Sequence, residues 1–118
     1  VPGGDCAFIH AAKGLKAEGF DERAKGYRMV LKAIEAPLRQ IVHNAGGSPD
    51  VVVEALKSHK GLKTGYNAVT GSLEGDMQKA GIVDAVKVCK NVLENAVSGA
   101  IMFLTVDCVV VEEVEEKK

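Results

Sequence analysis

The chain has 118 residues, of which 47% are hydrophobic, 4% aromatic and 26% charged, and its formal net charge is −1. This hydrophobic content is too high, and the charge too balanced, for an intrinsically disordered chain. The balanced charge also argues against a nucleic-acid partner, which needs a basic surface. The longest apolar run, 100–104, is far shorter than the roughly 20 residues that span a bilayer. The length fits one domain at most.

Apolar residues at three- and four-residue spacing predict helices in the first half of the chain. A first helix is expected over 5–16, where the Asp5 carboxylate would cap free backbone N–H groups. A longer helix is expected over 21–44, with a kink or a restart at Pro37. A Gly-Gly-Ser-Pro-Asp sequence then indicates a stop and a new start, which places a third helix over 49–58.

The second half is predicted to have an irregular middle followed by the most regular helix. The run 60–67 is rich in turn residues and could form a short hairpin, with a brief helix over 76–80 after it. Apolar residues then recur at helical spacing over 85–104. β-Branched residues predict an extended segment over 105–111, and a charged, solvated tail is expected over 112–118.

Two side chains on the first predicted helix have the spacing of a metal-binding pair. Cys6 and His10 are four residues apart, so they would lie on one helix face. A zinc site needs three or four ligands, and no other cysteine or histidine has a matching spacing. We therefore expect no metal site, but a core thiol and surface histidines, and rank a small metal or redox protein behind the other functions considered below. The three scattered cysteines are expected to be reduced, buried thiols.

Other candidate motifs are incomplete. The run 61–64 places a lysine beside a threonine but lacks the earlier glycine of a phosphate loop. The serines lie in no nucleophile elbow, so we predict no catalytic residue. Gly3 and Gly4 precede a helix, where bare backbone could approach a ligand or simply form a turn. Asp84 precedes the last helix and could cap it, the favoured interpretation, or accept hydrogen bonds from a ligand.

Several short strings occur in a fixed order along the chain. They are Val1-Pro2-Gly3-Gly4, the run 31–46 with its Glu-Ala-Pro-Leu-Arg-Gln-Ile sequence, Gly65-Tyr66-Asn67-Ala68, Gly81-Ile82-Val83-Asp84, Lys87-Val88, Ser98-Gly99-Ala100 and Thr105-Val106-Asp107-Cys108. In this order they resemble the group I chaperonin (GroEL) family. The resemblance implies a mainly α fold, an antiparallel helical bundle of the equatorial-domain type with a short β-hairpin and a C-terminal edge strand.

The matching strings belong to one part of the family's sequence. The resemblance implies that 1–118 is the C-terminal segment of the equatorial ATPase domain. The N-terminal equatorial half, the intermediate domain and the apical domain would then be absent. On this view Val1 marks a cut just ahead of the Gly3-Gly4 turn, and the small, aromatic-poor apolar residues belong to helices that pack against the missing half.

The resemblance also implies half of an ATP pocket. The residues concerned are Gly4, Asn67, Ala68, Val69, Ile82 and Asp84. Gly4 would approach the nucleotide through its backbone, and residues 67–69 would line the adenine end. Ile82 would pack on the base, and Asp84 would accept hydrogen bonds from the ribose hydroxyls, as a carboxylate can.

The family's phosphate and metal chemistry comes from strings that do not occur in this sequence. A Gly-Asp-Gly-Thr-Thr loop and a catalytic aspartate belong to the first half and to the intermediate domain. ATP is therefore the implied cofactor, with Mg²⁺ and potassium ions that the full-length parent binds and this segment does not ligate. Phosphoryl transfer needs that electrostatic stabilisation, so we expect an ATPase parent and an inactive isolated segment.

The implied function is ATP-dependent assistance of protein folding in a ring assembly. The implied partners are further copies in a heptameric ring or rings, a co-chaperonin lid and unfolded client proteins, with no nucleic acid and no membrane. A bacterial cytoplasmic location is implied, with a plastid or the mitochondrial matrix as the alternative because 107–112 looks closer to plastid-type chaperonins. The alternative function is a free-standing helical protein-interaction module without nucleotide binding.

The chain departs from the usual family pattern at positions close to these strings. Asp5 stands where the family usually has a third glycine, and Val69 stands where a small alanine is usual. Ala85 replaces the usual proline after the ribose aspartate, and Ser48 replaces a common acidic residue before Pro49, where altered inter-ring contacts are expected.

Overall fold

The computed structural model describes residues 1–111 and is mainly helical, as predicted. Its elements in chain order are α1 (Cys6–Ala12), α2 (Glu22–Ala33), α3 (Ala36–Asn44), α4 (Pro49–Ser58), β1 (Gly65–Asn67), β2 (Ser72–Glu74) and α5 (Val86–Thr105). The chain divides into two compact units, 1–86 and the part that follows. All the predicted site residues lie in the first unit.

Helix α1 is shorter than predicted, and its start differs from the prediction. It ends at Ala12, because the backbone of Lys13, with a ψ of 129°, is not helical and Gly14 follows with a φ of +79°. Asp5 has a φ of 59° and makes no side-chain capping hydrogen bond. The predicted Asp5 carboxylate cap is therefore wrong. A capping side chain reaches its helix from an extended backbone, and the backbone of Asp5 is left-handed instead.

The long helix predicted over 21–44 is two helices, since the chain restarts at α3. The carboxylate of Asp21 caps α2 by accepting a hydrogen bond from Ala24 N at 2.9 Å. Pro37 lies in the first turn of α3. Proline lacks the N–H that an internal helix position needs, but the first turn does not use that group. A restart, one of the two outcomes expected at Pro37, is confirmed.

The middle of the chain forms a hairpin later than predicted. Strands β1 and β2 pair antiparallel, with Tyr66 opposite Leu73, and the turn lies between them rather than within 60–67. The predicted helix over 76–80 is only a turn, in which Asp76 O accepts from Ala80 N at 3.1 Å. Gly81 follows with a φ of +75°, and this left-handed residue ends the turn. Helix α4 has the predicted bounds.

A small core holds the first unit together. Its buried residues are Cys6, Ile9, Leu38, Val42, Val53, Leu56 and Tyr66. Helix α4 packs against both α1 and α3, so residues from three helices and strand β1 meet around it. Burial of these apolar side chains is the main stabilising term for the unit.

An ion-pair network joins the start of α3 to α4. The buried Glu35 carboxylate lies 2.7 Å from Lys57 Nζ and 3.1 Å from an Arg39 guanidinium nitrogen. Arg39 also lies 2.6 Å from an Asp50 oxygen. Burial opposes ionisation of Glu35, but hydrogen bonds from Lys57 and Arg39 outweigh it and lower the pKa of this carboxyl. The network therefore stabilises a charged group that would otherwise destabilise the core.

Helix α5 begins and ends one residue later than predicted, and none of its residues is buried. Of the segment 105–111, predicted to be extended, Thr105 is instead the last residue of α5, and residues 106–111 form no strand pairing within the described part of the chain. The edge strand therefore stays a prediction, and the predicted tail over 112–118 lies outside the described residues. Of the helices described, none combines the length and apolar character needed to cross a bilayer.

Candidate functional site

The first residues of the chain pair with the segment that precedes α5. Gly3 N donates to Ile82 O at 3.0 Å, and Asp84 N donates to Val1 O at 3.1 Å. Val1 N donates in return to Asp84 O, also at 3.1 Å. This pairing brings Gly4 close to the segment of Ile82 and Asp84, from which it is distant in sequence.

Two glycines make this approach possible, each for a different reason. A Cβ atom on Gly3 would lie 2.8 Å from Val83 N and 2.9 Å from Ile82 C, closer than real contacts allow. Gly4 has a φ of +67°, a conformation that side chains disfavour. The Gly3-Gly4 turn is therefore required by the packing of this segment, whether or not a ligand approaches it.

The carboxylate of Asp84 binds the turn before α1. Its Oδ2 accepts a hydrogen bond from Asp5 N at 3.2 Å, and the side chain is half-buried. Among the hydrogen bonds of the described residues, this carboxylate bonds to Asp5 and not to the first turn of α5, so capping, which the residues alone favoured, is wrong. Burial, followed by the charge of Asp84, raises the pKa of Asp5. Two carboxylates thus meet at this turn.

The hairpin places residues 67–69 beyond Tyr66, which neighbours the glycine turn. A Cβ on Gly4 would lie 3.8 Å from Tyr66 O. Asn67 is half-buried, and its Oδ1 accepts from Val69 N at 3.0 Å, which closes the hairpin turn. Ala68 is exposed, and Val69 is 95% exposed. The structure thus brings Gly4, Ile82 and Asp84 together directly, and attaches the other three predicted residues through β1.

A buried layer lies beneath the hairpin and the glycine turn, and the sequence did not indicate it as part of the site. It consists of Cys6, Gly65 and Met77, of which Cys6 and Met77 are fully buried. A Cβ on Gly65 would lie 2.6 Å from Met77 Cγ and 2.9 Å from Cys6 Sγ, so strand β1 lies directly on both side chains. Cys6 is a core thiol, as predicted, but Cys89 is only half-buried and Cys108 is exposed, so the expected burial of all three thiols is wrong. Met77 lies where the hydrophobic periodicity fails, so no pattern indicated its burial.

His10 is buried, which corrects the expectation of surface histidines. Its Nε2 donates to Thr64 O at 2.6 Å, and its Nδ1 is buried without a hydrogen-bond partner in the described structure. Burial lowers the pKa of His10; the hydrogen bond to Thr64 O opposes this effect, and the nearby charge of Lys13 reinforces it. The neutral tautomer protonated at Nε2 fits this environment. Within residues 1–111 no three potential ligands come together to hold a metal ion.

A cavity of about 520 Å³ lies elsewhere in the first unit, among α1, α2 and α4. Its apolar lining includes Ile9, Leu31 and Ile34, and Lys13 and Lys57 also line it. None of the six predicted nucleotide-site residues lines it. The cavity and the glycine turn are therefore two separate features of this unit.

The comparison with protein families agrees with the order of the strings and with the helical fold. The sequence profile of the TCP-1/cpn60 chaperonin family matches residues 1–114. The matched region includes the paired segments at the glycine turn, the hairpin and the whole of α5. It therefore spans nearly all of the chain rather than one local motif. The chain belongs to the TCP-1/cpn60 chaperonin family.

Proposed function

We propose that this chain is the C-terminal segment of the equatorial domain of a group I chaperonin. It would supply the base and ribose side of an ATP pocket, with the phosphate side coming from another part of the same parent protein. Membership of the family already gives the chain a chaperone function in general terms, in an oligomeric assembly that acts on client proteins.

The observation that supports a nucleotide site is the contact of the Gly3-Gly4 turn with the segment 82–84. Asp84 is half-buried, and its Oδ2 is held by the Asp5 N–H. A carboxylate has about four lone-pair sites, so the oriented group can also accept hydrogen bonds from ribose hydroxyls. Ile82 is half-buried beside it and offers apolar surface to a base. A hydrogen-bond acceptor on Asp84, an apolar surface on Ile82 and the backbone of the Gly3-Gly4 turn thus lie next to one another.

The proposed division of labour follows from the residues present. Base and ribose recognition need an apolar surface and hydrogen-bond acceptors, which Ile82 and Asp84 provide. Transfer of a phosphoryl group needs positive charge or a metal ion at the phosphates, and here the paired Asp5 and Asp84 add negative charge instead. ATP hydrolysis with Mg²⁺ and potassium ions is therefore assigned to the parent protein, and binding to this segment.

Assembly and location complete the proposal. The parent would form heptameric rings, bind a co-chaperonin lid and enclose unfolded clients, in the bacterial cytoplasm or in an organelle. Val109, Val110 and Val111 are exposed, and their backbone makes no strand pairing within the described residues. Such a β-branched segment suits pairing with a strand of a neighbouring subunit.

An interaction module without nucleotide binding is the second candidate. The observation in its favour is the partly apolar cavity of about 520 Å³, which is separate from the glycine turn. A module of this kind would bind its partner there, and ATP would have no effect on residues of the glycine turn.

Titration with ATP, followed by backbone NMR, separates the two candidates. Millimolar ATP should shift the amide signals of Gly4, Asn67 and Asp84, and Asp84→Ala should remove these shifts. Asp107→Ala is the matched control, because Asp107 is an exposed carboxylate outside the proposed pocket. Absence of the shifts, or equal shifts in Asp84→Ala, would count against nucleotide binding by these residues.

A further inference from the structure

The Cys6 side chain joins two segments that the proposed pocket uses. Its Sγ accepts a hydrogen bond from Tyr66 N at 3.4 Å and donates one to Gly4 O at 3.6 Å. Gly4 belongs to the glycine turn, and Tyr66 directly precedes Asn67 on the adenine side. A thiol is both a weak donor and a weak acceptor, so one buried side chain can hold both segments.

Packing around the thiol leaves little room for either segment to move. Cys6 is fully buried, and Gly65 lies so close to it that a Cβ would come within 2.9 Å of Sγ. Met77 is fully buried in the same layer. Its N donates to Lys63 O at 3.0 Å, and its O accepts from Ile82 N at 2.8 Å. Because protein interiors are close-packed, a displacement of Cys6 would be transmitted to the hairpin and to the glycine turn.

The ionisation state of the thiol fits this role. Burial raises the pKa of Cys6, and the charges of Asp5 and Asp84 act in the same direction. The thiol therefore keeps its proton at neutral pH, and that proton is the one donated to the Gly4 carbonyl.

We infer that Cys6 is a positioning residue of the proposed nucleotide site, which sets the separation between the glycine turn and the adenine-side hairpin. The inference rests on the proposed function, because it concerns the geometry of the same pocket. Cys6 itself would not contact the nucleotide. Its two hydrogen bonds would act through Gly4 and Tyr66.

The test compares ATP affinity, measured by NMR titration, in the unchanged chain, Cys6→Ala, Cys6→Ser and the control Cys108→Ala. Cys108 is an exposed thiol outside the pocket. Cys6→Ala should weaken ATP binding roughly threefold or more, the effect of losing one modest hydrogen bond. Cys6→Ser should restore most of the affinity, because a hydroxyl also donates and accepts. A packing role predicts the opposite order, since alanine is better tolerated than serine in an apolar core.

Amide exchange of Tyr66, read in the same samples without ATP, separates the possible failures. Faster exchange in Cys6→Ala together with weaker ATP binding supports the inference. Faster exchange of the Tyr66 amide in Cys6→Ala with unchanged ATP affinity overturns the inference and leaves the proposed function intact. Weaker ATP binding in Cys6→Ser than in Cys6→Ala has the same consequence. If the unchanged chain shows no ATP binding, the proposed function fails and the inference fails with it. Cys6→Thr, also a hydroxyl variant, replaces Cys6→Ser if that variant does not fold.

Discussion

The backbone N–H of Asp5 donates a hydrogen bond to the carboxylate of Asp84, with 3.2 Å between N and Oδ2, across 79 positions of sequence. The bond ties the glycine turn before α1 to the segment before α5. Among the described residues, Asp5 is also the only non-glycine with a positive φ. A strained backbone and an oriented carboxylate therefore meet at the residues proposed to bind nucleotide.

Replacing the acceptor should weaken the fold as well as nucleotide binding. Asp84→Ala should lower the free energy of unfolding by about 1–2 kcal/mol, because the Asp5 N–H loses a charged acceptor. Asp84→Asn keeps an oxygen acceptor at this position and should lower the free energy of unfolding by less. Urea denaturation measures both, with Asp107→Ala as the exposed control. Equal losses in Asp84→Asn and Asp84→Ala would contradict the assigned role of the hydrogen bond.

Asp5 should be replaceable by glycine with a gain in stability. A left-handed backbone costs a non-glycine residue about 1–2 kcal/mol, which exceeds the roughly 0.5–1 kcal/mol that glycine loses in chain entropy. Asp5→Gly should therefore raise the free energy of unfolding, and Asp5→Ala should not. Asp21→Gly is the control, since Asp21 has an extended backbone and its carboxylate caps α2. A stabilising Asp5→Ala would argue against backbone strain at this position.

The free energy of unfolding should decrease as the pH is lowered, because of His10. Burial holds the pKa of the folded-state imidazole below the ordinary histidine value of about 6.5, so the unfolded chain binds this proton more readily. The contribution of neutral His10 is therefore present above about pH 6.5 and is lost as pH falls below that value. Unfolding curves between pH 7.5 and 5 measure it.

The His10 prediction has a matched control on an exposed histidine. His10→Gln should flatten the pH dependence of the unfolding free energy, because glutamine does not titrate. His43→Gln should leave the dependence unchanged, since His43 is exposed. If the unfolding free energy of His10→Gln still decreases steeply at low pH, groups other than His10 cause the decrease.

Gly65 should not tolerate even a methyl group. A Cβ there would lie 2.6 Å from Met77 Cγ, so Gly65→Ala should cost about 1–3 kcal/mol of unfolding free energy through overpacking. Gly75→Ala is the control, because nothing lies within 4 Å of a Cβ at that glycine. Thermal unfolding followed by circular dichroism compares the two variants. Similar stabilities would show that the buried layer adapts easily.

The proposed half-domain should expose apolar surface that a hydrophobic dye can bind. No residue of α5 is buried, and Ile101, Met102 and Phe103 are among its exposed apolar side chains. Dye fluorescence should therefore be high and should fall in Phe103→Ser, while Asn95→Ser serves as a polar control on the same helix. A compact monomer that binds no dye would speak against the half-domain proposal.

Local sequence features predicted several elements correctly because local physical chemistry determines them. Proline and glycine placed the start of α4 and the restart at α3, since proline suits a first helical turn and glycine suits a left-handed end. The regular apolar spacing of α5 predicted its bounds within one residue. The hairpin was expected at 60–67 and occurs later, because strand pairing depends on partners outside the local sequence.

The resemblance named residues for the candidate site, which stay a prediction, and no sequence feature indicated the contacts among them. The strings around Gly4 and Asp84 indicated a chaperonin resemblance, and the family comparison confirms membership of the chaperonin family. Neither string indicated that the Asp84 carboxylate would bind Asp5, or that Cys6 would join Gly4 to Tyr66. Those contacts link residues far apart in sequence, so periodicity and capping rules do not reveal them.

By itself, the spacing of the apolar residues determined a mainly helical chain, and the ordered strings indicated its resemblance to the chaperonins. Tertiary structure alone decided that His10 is buried, that Asp5 has a left-handed backbone, and that Met77 lies beneath the hairpin. The physical reason is that helix starts, stops and faces depend on neighbours within a few residues. Burial and strain depend on which distant segments pack together, as the glycine turn does against residues 82–84.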